Sequence, residues 1–389
     1  MHTGALYIIF GLGLATTTAS QSAVVPGFVV EDGQYVPLPS QPPAGLAPKP
    51  WFVPFPPMPG LEENPVTPEK VELGRLLFFD PLLSGDNTMS CATCHHPDFG
   101  LADGRGKAMG FGGKGFGPDR AGGTLLGRQS PTLWNAAYNA HQFWDGRARL
   151  LEHQAAFPIQ APDEMNQDAD ELVDELSAIP EYVRLFEQVF GPDGEPVTFE
   201  NVTKAVAVFE RTLLTFRSRF DRFAAGEEEA LTPEEKRGFE LFRSDRMRCI
   251  QCHHLPTFSD TAFRVIGVPE EETPDPGRAK VPGEGPFGAF KVPALRNASV
   301  TGPYMHNGHF DTLESIIDFY AGGAGLANEP PAENVDPLIR PFRISAEEKA
   351  ALVSFLNALT DLSLQPAPPG AVPSGLPVIP VGSRLRNAP

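Results

Sequence analysis

Basic residues are scarce in this sequence of 389 residues: Lys and Arg total 31, against 49 Asp and Glu, and the formal net charge is −18. A surface so rich in carboxylates repels phosphates, which argues against nucleic acid and anionic membranes as partners. It favours solubility and a cationic partner instead. The length predicts two domains plus tails, and an apolar fraction of 41% is enough for buried cores.

Long apolar runs are also missing. The run at residues 5–15 is too short to cross a bilayer, and a small Thr-Ala-Ser triplet follows it. We therefore predict a signal peptide at residues 1–20 and a periplasmic mature protein without a stable membrane span. The first residues are weakly cationic, with only His2, so an uncleaved anchor is the alternative.

Only four cysteines are present, and none remains for a disulfide, because all four belong to two short stretches. These are Cys91-Ala92-Thr93-Cys94-His95 and Cys249-Ile250-Gln251-Cys252-His253. Both read C-x-x-C-H, the attachment signature of a c-type haem, in which two thiols add to the porphyrin vinyl groups and the adjacent imidazole binds the iron. Zinc sites and redox dithiols also use C-x-x-C pairs, but neither requires the histidine that follows in both copies. We predict two covalently bound haems.

Period-two strand patterns are nearly absent, which predicts a mainly α fold. The two halves of the chain repeat each other. Each half opens on a Thr-Pro helix start, at Thr67 and Thr232, and then carries an apolar stretch that begins with Gly74 or Gly238. A capping pattern at Ser345 begins the last predicted helix. The sequence therefore predicts two tandem haem domains.

Proline, at 42 residues, concentrates near the two ends and marks extended segments. The predicted division is a signal peptide at 1–20, a Pro-rich linker at 21–60, an N-terminal haem domain at 61–225, a C-terminal haem domain at 226–365 and a Pro-rich tail at 366–389.

A Gly-rich stretch at residues 99–127 follows the first motif. No predicted strand precedes it, and Lys114 is followed by Gly115 instead of Ser or Thr, so it is not a phosphate-binding P-loop. We expect a flexible cover over the first haem.

Four stretches outside the motifs resemble the bacterial dihaem cytochrome c peroxidase and MauG family. They lie at residues 74–81 (GRLLFFDP), 143–147 (FWDGR), 290–297 (FKVPALRN) and 301–308 (TGPYMHNG). The resemblance runs from about residue 73 to 360, most of the predicted mature chain. It implies two tandem cytochrome c-like domains with an interface between them, and a haem on either side of that interface.

The resemblance implies that the first haem reacts with hydrogen peroxide. It assigns the proximal ligand to His95 and a polar pair on the opposite, distal side to Gln154 and Glu164. Splitting an O–O bond requires a proton to move from one oxygen to the other, which a nearby carboxyl can do. Without the resemblance, the sequence favours a solvated loop carboxylate at Glu164. Trp144 matches a tryptophan that lies between the haems and relays electrons; it is also a large core residue, and the two interpretations are compatible.

Residues 98–127 contain no histidine. Conventional peroxidases of this family hold a histidine over the first iron until reduction releases it. The resemblance therefore implies a first haem that is open without prior reduction. Met109 is an alternative ligand in this loop, although a lone Met in a Gly-rich segment is more often unengaged.

The second haem takes His253 as its proximal ligand, and its other axial ligand separates the subtypes. Conventional peroxidases of the family use Met there, whereas MauG uses Tyr, and the register of the resemblance places Tyr320 at that position. A phenolate is a hard anionic donor and stabilises the higher oxidation state of iron. Tyr320 also falls on an ordinary apolar helix face with Leu313 and Ile317, and Met305 is a competing ligand.

The family also binds calcium between its domains, and the backbone carbonyls of Thr301 and Pro303 match that site. The family's side-chain ligand is Asn, whereas this chain has Gln129, whose longer amide displaces the oxygen and predicts a weakened calcium site. A second departure concerns the MauG substrate. MauG carries a tryptophan two residues before its second haem motif, on the route to its protein substrate, and this chain has Met247.

Three functions follow from these patterns. The leading hypothesis is a MauG-type oxidoreductase that reacts with hydrogen peroxide at the first haem, uses the second for electron transfer, and oxidises a protein or other external donor. The alternative enzyme is a cytochrome c peroxidase that takes electrons from a small cytochrome c or cupredoxin. The third is a dihaem electron carrier without catalysis, which has no use for a distal acid–base pair.

Overall fold

The structure is a computed structural model that describes residues 28–31, 34–37, 46–192, 194–270, 273–330, 332–382 and 385. The predicted signal peptide lies outside the described residues. None of the described helices has the length and apolar character needed to cross a membrane.

Helices make up most of the regular structure, as the sequence predicts. In the described residues they are α1 (Pro68–Phe79), α2 (Cys91–Cys94), α3 (Leu151–Gln160), α4 (Ala169–Ser177), α5 (Pro180–Phe190), α6 (Phe199–Glu210), α7 (Arg219–Ala224), α8 (Pro233–Phe242), α9 (Leu313–Gly322) and α10 (Ala346–Asn357). Two antiparallel strand pairs accompany them: β1 (Phe28–Glu31) with β2 (Gln34–Pro37), and β3 (Phe263–Val265) with β4 (Ala289–Lys291). The register of the second pair sets Phe263 opposite Lys291.

The predicted helix starts are confirmed. The Thr67 hydroxyl accepts a hydrogen bond from the Lys70 backbone N–H at the start of α1. Thr232 and Ser345 form reciprocal capping boxes with the side chains of Glu235 and Glu348. These caps satisfy backbone donors that a helix leaves free in its first turn.

A glycine sets the closest helix contact in each half. A Cβ atom on Gly74 of α1 would lie 2.0 Å from the Ala205 carbonyl oxygen of α6, and one on Gly238 of α8 would lie 2.0 Å from the Ala351 carbonyl oxygen of α10. Only glycine permits so close a backbone approach. The helix pair α1 and α6 in the first half and the pair α8 and α10 in the second therefore pack at a glycine in the same way, which supports the predicted repeat.

Two aromatic cores surround these crossings. In the first half Phe78 packs against Phe209 with ring centroids 5.1 Å apart. In the second half Phe239 and Phe242 each lie 5.2 Å from the ring of Phe355. All five rings are buried, and each contributes roughly 1.5–3 kcal/mol relative to full exposure.

The middle of each half repeats as well. Asn135 and Asn297 both have left-handed backbone conformations, with φ of 57° and 60°. The Asn135 amide forms hydrogen bonds with the backbone of Thr215, and the Asn297 amide forms hydrogen bonds with the backbone of Asp361. Each asparagine therefore fixes the backbone a few residues after a long helix, α6 in the first half and α10 in the second. At the same spacing along the chain, α3 in the first half corresponds to α9 in the second.

The tail after residue 365 lies across the first domain. The Ser374 hydroxyl donates to Asp80 at 2.7 Å, and the His96 Nε2 atom lies 3.1 Å from the Pro380 carbonyl oxygen. The side chains of Leu376 and Ile379 pack on the first core. The Pro-rich composition predicts an extended segment, but only the folded structure shows that this segment is docked.

Candidate haem sites

Each haem motif lines its own cavity. The first cavity is lined by Cys91, Cys94 and His95, and its walls come from α3, α6 and the loop after α2. The second cavity is lined by Cys249, Cys252 and His253, with α9 and strand β4 on its walls. The two cavities share lining residues, so they are neighbours within the molecule.

The two motif histidines are held in the same way. The Nδ1 atom of His95 lies 3.1 Å from the Leu101 carbonyl oxygen, and that of His253 lies 2.9 Å from the Phe258 carbonyl oxygen. Burial lowers the pKa of His95 to about 4 and also lowers that of His253, so both rings are neutral. A neutral ring that donates from Nδ1 leaves the Nε2 lone pair for a metal.

The thiols fit covalent attachment better than metal binding. All four are unpaired, and burial raises the pKa of Cys94 and Cys249 to about 12. The described part of the chain contains no group of three or more His, Cys, Asp or Glu side chains able to hold a metal ion. Two unpaired thiols beside a neutral histidine in each cavity fit a haem in each half.

Gln154 and Glu164 line the same cavity as His95. Gln154 belongs to α3, and Glu164 follows that helix with its N–H bonded to the Ala161 carbonyl. Burial raises the pKa of Glu164, and the positive charge of Arg147 only partly opposes this. A carboxyl with a raised pKa can hold and release a proton closer to neutral pH than an exposed Glu does.

Pro158 also lines the first cavity, one helical turn after Gln154. It lies inside α3, at the position that Tyr320 occupies in α9. Proline offers no side-chain atom that can bind iron, whereas tyrosine offers an oxygen. Sequence reasoning missed Pro158, although the repeated register of α3 and α9 carries the signal.

Tyr320 lies in the second cavity with His253 and has a hydroxyl that makes no hydrogen bond in the described residues. A hydroxyl in this cavity that bonds no protein group is available to a bound group, which fits a ligand role. Met305 and Met247 line the same cavity, so the competing methionine also stands close to the second haem site. Met109 is not among the residues that line either cavity within the described chain.

Two arginines join the turns of the Gly-rich loop at residues 99–127 through hydrogen bonds. Arg120 is 4% exposed and donates to the carbonyls of Met109, Gly110 and Gly115 at 2.8–2.9 Å. Arg105 donates to the Arg120 carbonyl at 2.9 Å. A guanidinium has five N–H donors and can join several turns of a loop. The sequence predicts a flexible cover over the first haem, whereas the structure shows a wall of the first cavity whose turns are joined by hydrogen bonds.

Trp144 lines both cavities. Its indole N–H donates to the Gln129 carbonyl at 3.0 Å, and its ring meets the edge of His306 at a centroid distance of 6.5 Å. The Lys291 N–H donates to the Trp144 carbonyl at 2.9 Å. The indole therefore stands between the two haem sites.

Next to Trp144, an ion-pair network joins the two halves. Arg128 contacts Asp145 at 2.7 Å and, across the interface, Asp275 at 2.6 Å. Burial acts against ionisation of Asp145, but Arg128 and Arg147 together lower its pKa. Buried charges that are all paired fix the relative position of the halves.

The three predicted calcium ligands lie together. The Gln129 side-chain amide contacts the Pro303 carbonyl and lies 3.4 Å from the Thr301 carbonyl oxygen. These three residues include no carboxylate. Calcium normally takes six to eight oxygen ligands.

Comparison with known proteins adds a consistent set of relatives. Residues 68–229 match a family model described as di-haem cytochrome c peroxidase. The chain is 40% identical to the methylamine utilization protein MauG of Methylorubrum extorquens over 80% of this chain and 82% of the relative. It is 36% identical to the cytochrome c551 peroxidase of Nitrosomonas europaea over 78% of this chain and 86% of the relative.

A solved structure supports the same grouping. A MauG-like protein associated with microbial copper homeostasis superposes with a TM-score of 0.72 and 31% identity, over 82% of this chain and 97% of that protein.

Proposed function

This chain belongs to the di-haem cytochrome c peroxidase family, which includes the MauG proteins, and we propose that it is a MauG-type oxidoreductase. It reacts with hydrogen peroxide at the first haem site and oxidises a protein or other external donor, with the second haem site as the electron-transfer centre. The observation that carries this proposal is the difference at one repeated position, Pro158 in the first cavity and Tyr320 in the second.

His95 and His253 would hold the iron of the two haems, and the four thiols would hold the porphyrins. When bound, a haem would supply a redox-active iron. Pro158 has no side-chain atom that binds iron and would leave the first site free for peroxide, whereas the Tyr320 hydroxyl would offer an oxygen ligand in the second site.

Glu164 is proposed as the proton carrier for peroxide cleavage. Its carboxyl takes a proton from one peroxide oxygen and returns it to the other, which leaves as water. The raised pKa that burial gives Glu164 suits it to both steps. Gln154 orients the peroxide through its amide. Complete reduction of peroxide to two waters also takes two protons and two electrons, and the electrons come from the external donor.

Trp144 is proposed to couple the two sites. It lines both cavities, and its hydrogen bond to Gln129 fixes the plane of the indole. An ordered ring between two redox centres shortens the gap that electrons must cross. The external donor is expected to be cationic at its contact surface, because this chain carries a net charge of −18. We place this reaction in the periplasm.

One observation favours the alternative, a cytochrome c peroxidase fed by a small cytochrome c or cupredoxin. Met305 lines the second cavity together with Tyr320, and methionine is the common partner of histidine in electron-transfer haems. The protein substrate is also expected to differ from that of MauG, because Met247 replaces the tryptophan on the MauG route.

The test is electron paramagnetic resonance with optical spectroscopy on the oxidised protein, before any reduction. We expect one high-spin haem and one low-spin haem without methionine-type absorption. Tyr320→Phe removes the proposed ligand oxygen and should change only the low-spin signal. Tyr304→Phe is the matched control, since Tyr304 lines the same cavity but donates to the Ala298 carbonyl at 2.9 Å.

Two low-spin haems with methionine-type absorption, unchanged in Tyr320→Phe, would contradict the MauG-type assignment. Turnover with a reduced small cytochrome c would then separate a cytochrome c peroxidase from an electron carrier.

A further inference from the structure

Lys291 is the last residue of β4, and its side chain lines both haem cavities. Its backbone position is fixed on two sides. The N–H of Lys291 donates to the Trp144 carbonyl at 2.9 Å, and the register of the strand pair sets Lys291 opposite Phe263. The backbone of Lys291 is therefore held where the two halves of the molecule meet, and the residue lines both cavities.

The ammonium group of Lys291 has no anionic partner in the described residues. It makes no ion pair or side-chain hydrogen bond there, and burial lowers the pKa of Lys291 to about 8. A buried ammonium that stays charged without a partner is strongly destabilising. Such a group is expected to meet an anion in the working protein.

Two arginines on the cavity walls are neutralised by carboxylates. Arg128, on the first wall, binds Asp145 and Asp275, and Arg264, on the second wall, binds Asp336 at 2.7 Å as well as Asp260. Lys291 differs from these arginines because no carboxylate of the protein reaches it. An anion that pairs with Lys291 must therefore come from the group that occupies the haem cavities.

We propose that the Lys291 ammonium binds a propionate carboxylate of a haem at the junction of the two cavities. This inference rests on the presence of both haems and deepens the proposed function. Each haem carries two propionates, and the shared wall allows the partner to come from the first haem, the second, or both. A charge-assisted hydrogen bond of this kind satisfies both groups at once.

The bond has a redox consequence. A fixed positive charge near a haem favours the reduced form, because reduction lowers the net positive charge at the iron. Loss of that charge is expected to shift the reduction equilibrium of the bonded haem by about tenfold toward the oxidised form, which is roughly 59 mV for one electron. Lys291 is thus a positioning residue that also sets a potential.

The test compares Lys291→Met with Lys291→Arg in the full haem-loaded chain. Methionine keeps an unbranched side chain of similar length but removes the charge, whereas arginine keeps the charge. Lys349→Met is the control for loss of a surface lysine, since Lys349 pairs with Asp318 on the outside of the molecule. Haem content is measured first, and the midpoint potential of each haem is then measured by optical spectroelectrochemistry, with the high-spin and low-spin spectra separating the two centres.

We expect Lys291→Met to lower the midpoint potential and Lys291→Arg to keep it close to the parent value. A fall at one haem alone identifies the haem that supplies the propionate, and a fall at both identifies a bridging lysine. Parent potentials at both haems in Lys291→Met, with full haem content, would overturn the proposal.

If Lys291→Met does not take up haem, Lys291→Arg decides. Full loading with parent potentials in that variant supports a role for the charge, and equal loss of haem in both variants overturns it. Neither readout depends on peroxide turnover. The propionate assignment can therefore fail while the proposed oxidoreductase function stands, and the reverse also holds.

Discussion

The first and second halves of this chain share one scaffold of helices but line its cavity with different side chains. In both halves the Nδ1 atom of a neutral histidine bonds a backbone carbonyl, and two helices pack closely at a glycine. In both, an asparagine also bonds the backbone just after a long helix, α6 or α10. They differ on one wall of the cavity, where α3 carries Pro158 and α9 carries Tyr320. A repeated scaffold thus supports two different sites through single substitutions on one helix.

The residues around that wall follow the same logic. Glu164 follows α3 and lines the first cavity, whereas apolar side chains of α9, such as Ile316 and Ile317, line the second. In the proposed function, the first site transfers protons and the second transfers electrons. Four experiments test this difference between the halves.

The shared scaffold is tested at its two glycines. Gly74→Ala and Gly238→Ala each place a methyl group about 2.0 Å from a carbonyl oxygen, so we expect each to lower the free energy of unfolding by more than about 3 kcal/mol and to reduce haem content. Gly322→Ala is the matched helical control, because nothing lies within 4 Å of its added Cβ and alanine favours helix by about 1 kcal/mol. Denaturant unfolding measures all three. Similar stability of the two test variants and the control would contradict a shared glycine crossing.

The proton function of the first half is tested by Glu164→Gln. We expect the rate of reaction with peroxide to fall by about 10²-fold or more, because glutamine cannot shuttle a proton. The inflection of the rate against pH that belongs to Glu164, displaced upward from the ordinary Glu range, should disappear. Stopped-flow mixing with peroxide gives both results. Glu171→Gln on α4 is the control at an exposed carboxylate, and an equal loss of rate there would remove Glu164 from the mechanism.

The interface between the halves is tested by Asp145→Asn, which keeps the shape of the side chain and removes the carboxylate that Arg128 contacts. Arg128 loses one of its two carboxylates in a buried network, so we expect a loss of roughly 2–4 kcal/mol at pH 7. The pKa of Asp145 is lowered in the folded state, so its contribution is present above the unfolded value of about 3.9 and is lost as pH falls below that. The difference between variant and parent should therefore shrink in acid. A constant difference from pH 7 to pH 3 in denaturant unfolding would contradict this account.

The smallest effect concerns calcium. The Gln129 amide already bonds the carbonyls that would bind the ion, so we expect a chelator to leave the unfolding temperature of the parent protein unchanged. Gln129→Asn withdraws the amide from those carbonyls and should create calcium-dependent stability of up to about 2.7 kcal/mol at a hundredfold excess over Kd. Gln160→Asn on the exposed face of α3 is the control. Stabilisation of the parent by calcium, abolished by chelator, would show that the amide turns to offer its oxygen instead.

Local chemistry made several features predictable. The C-x-x-C-H spacing defines where a haem attaches, and the caps at Thr67, Thr232 and Ser345 define where helices begin. These signals depend on residues within one helical turn of each other. They hold whatever the rest of the chain does.

Other features escaped sequence reasoning because they depend on distant segments. The Gly-rich loop has a composition typical of flexible segments, yet Arg105 and Arg120 join its turns through hydrogen bonds to carbonyl oxygens. Composition does not show which carbonyl oxygens a guanidinium will reach. In the same way, the proline content of the tail predicts extension but not its bonds to Asp80 and His96.

From its sequence alone, the protein is predictable as a mainly helical repeat with two haem attachment motifs, and the family resemblance singles out Gln154, Glu164 and Tyr320. The folded structure adds that Pro158 and Tyr320 hold equivalent positions in the two cavities, and that Lys291 lines both cavities without an anionic partner in the described residues. Covalent attachment and helix capping are local, whereas the lining of a cavity and an uncompensated charge depend on which side chains meet across the fold. The cost of burying a charge is set by those neighbours and not by the residue alone.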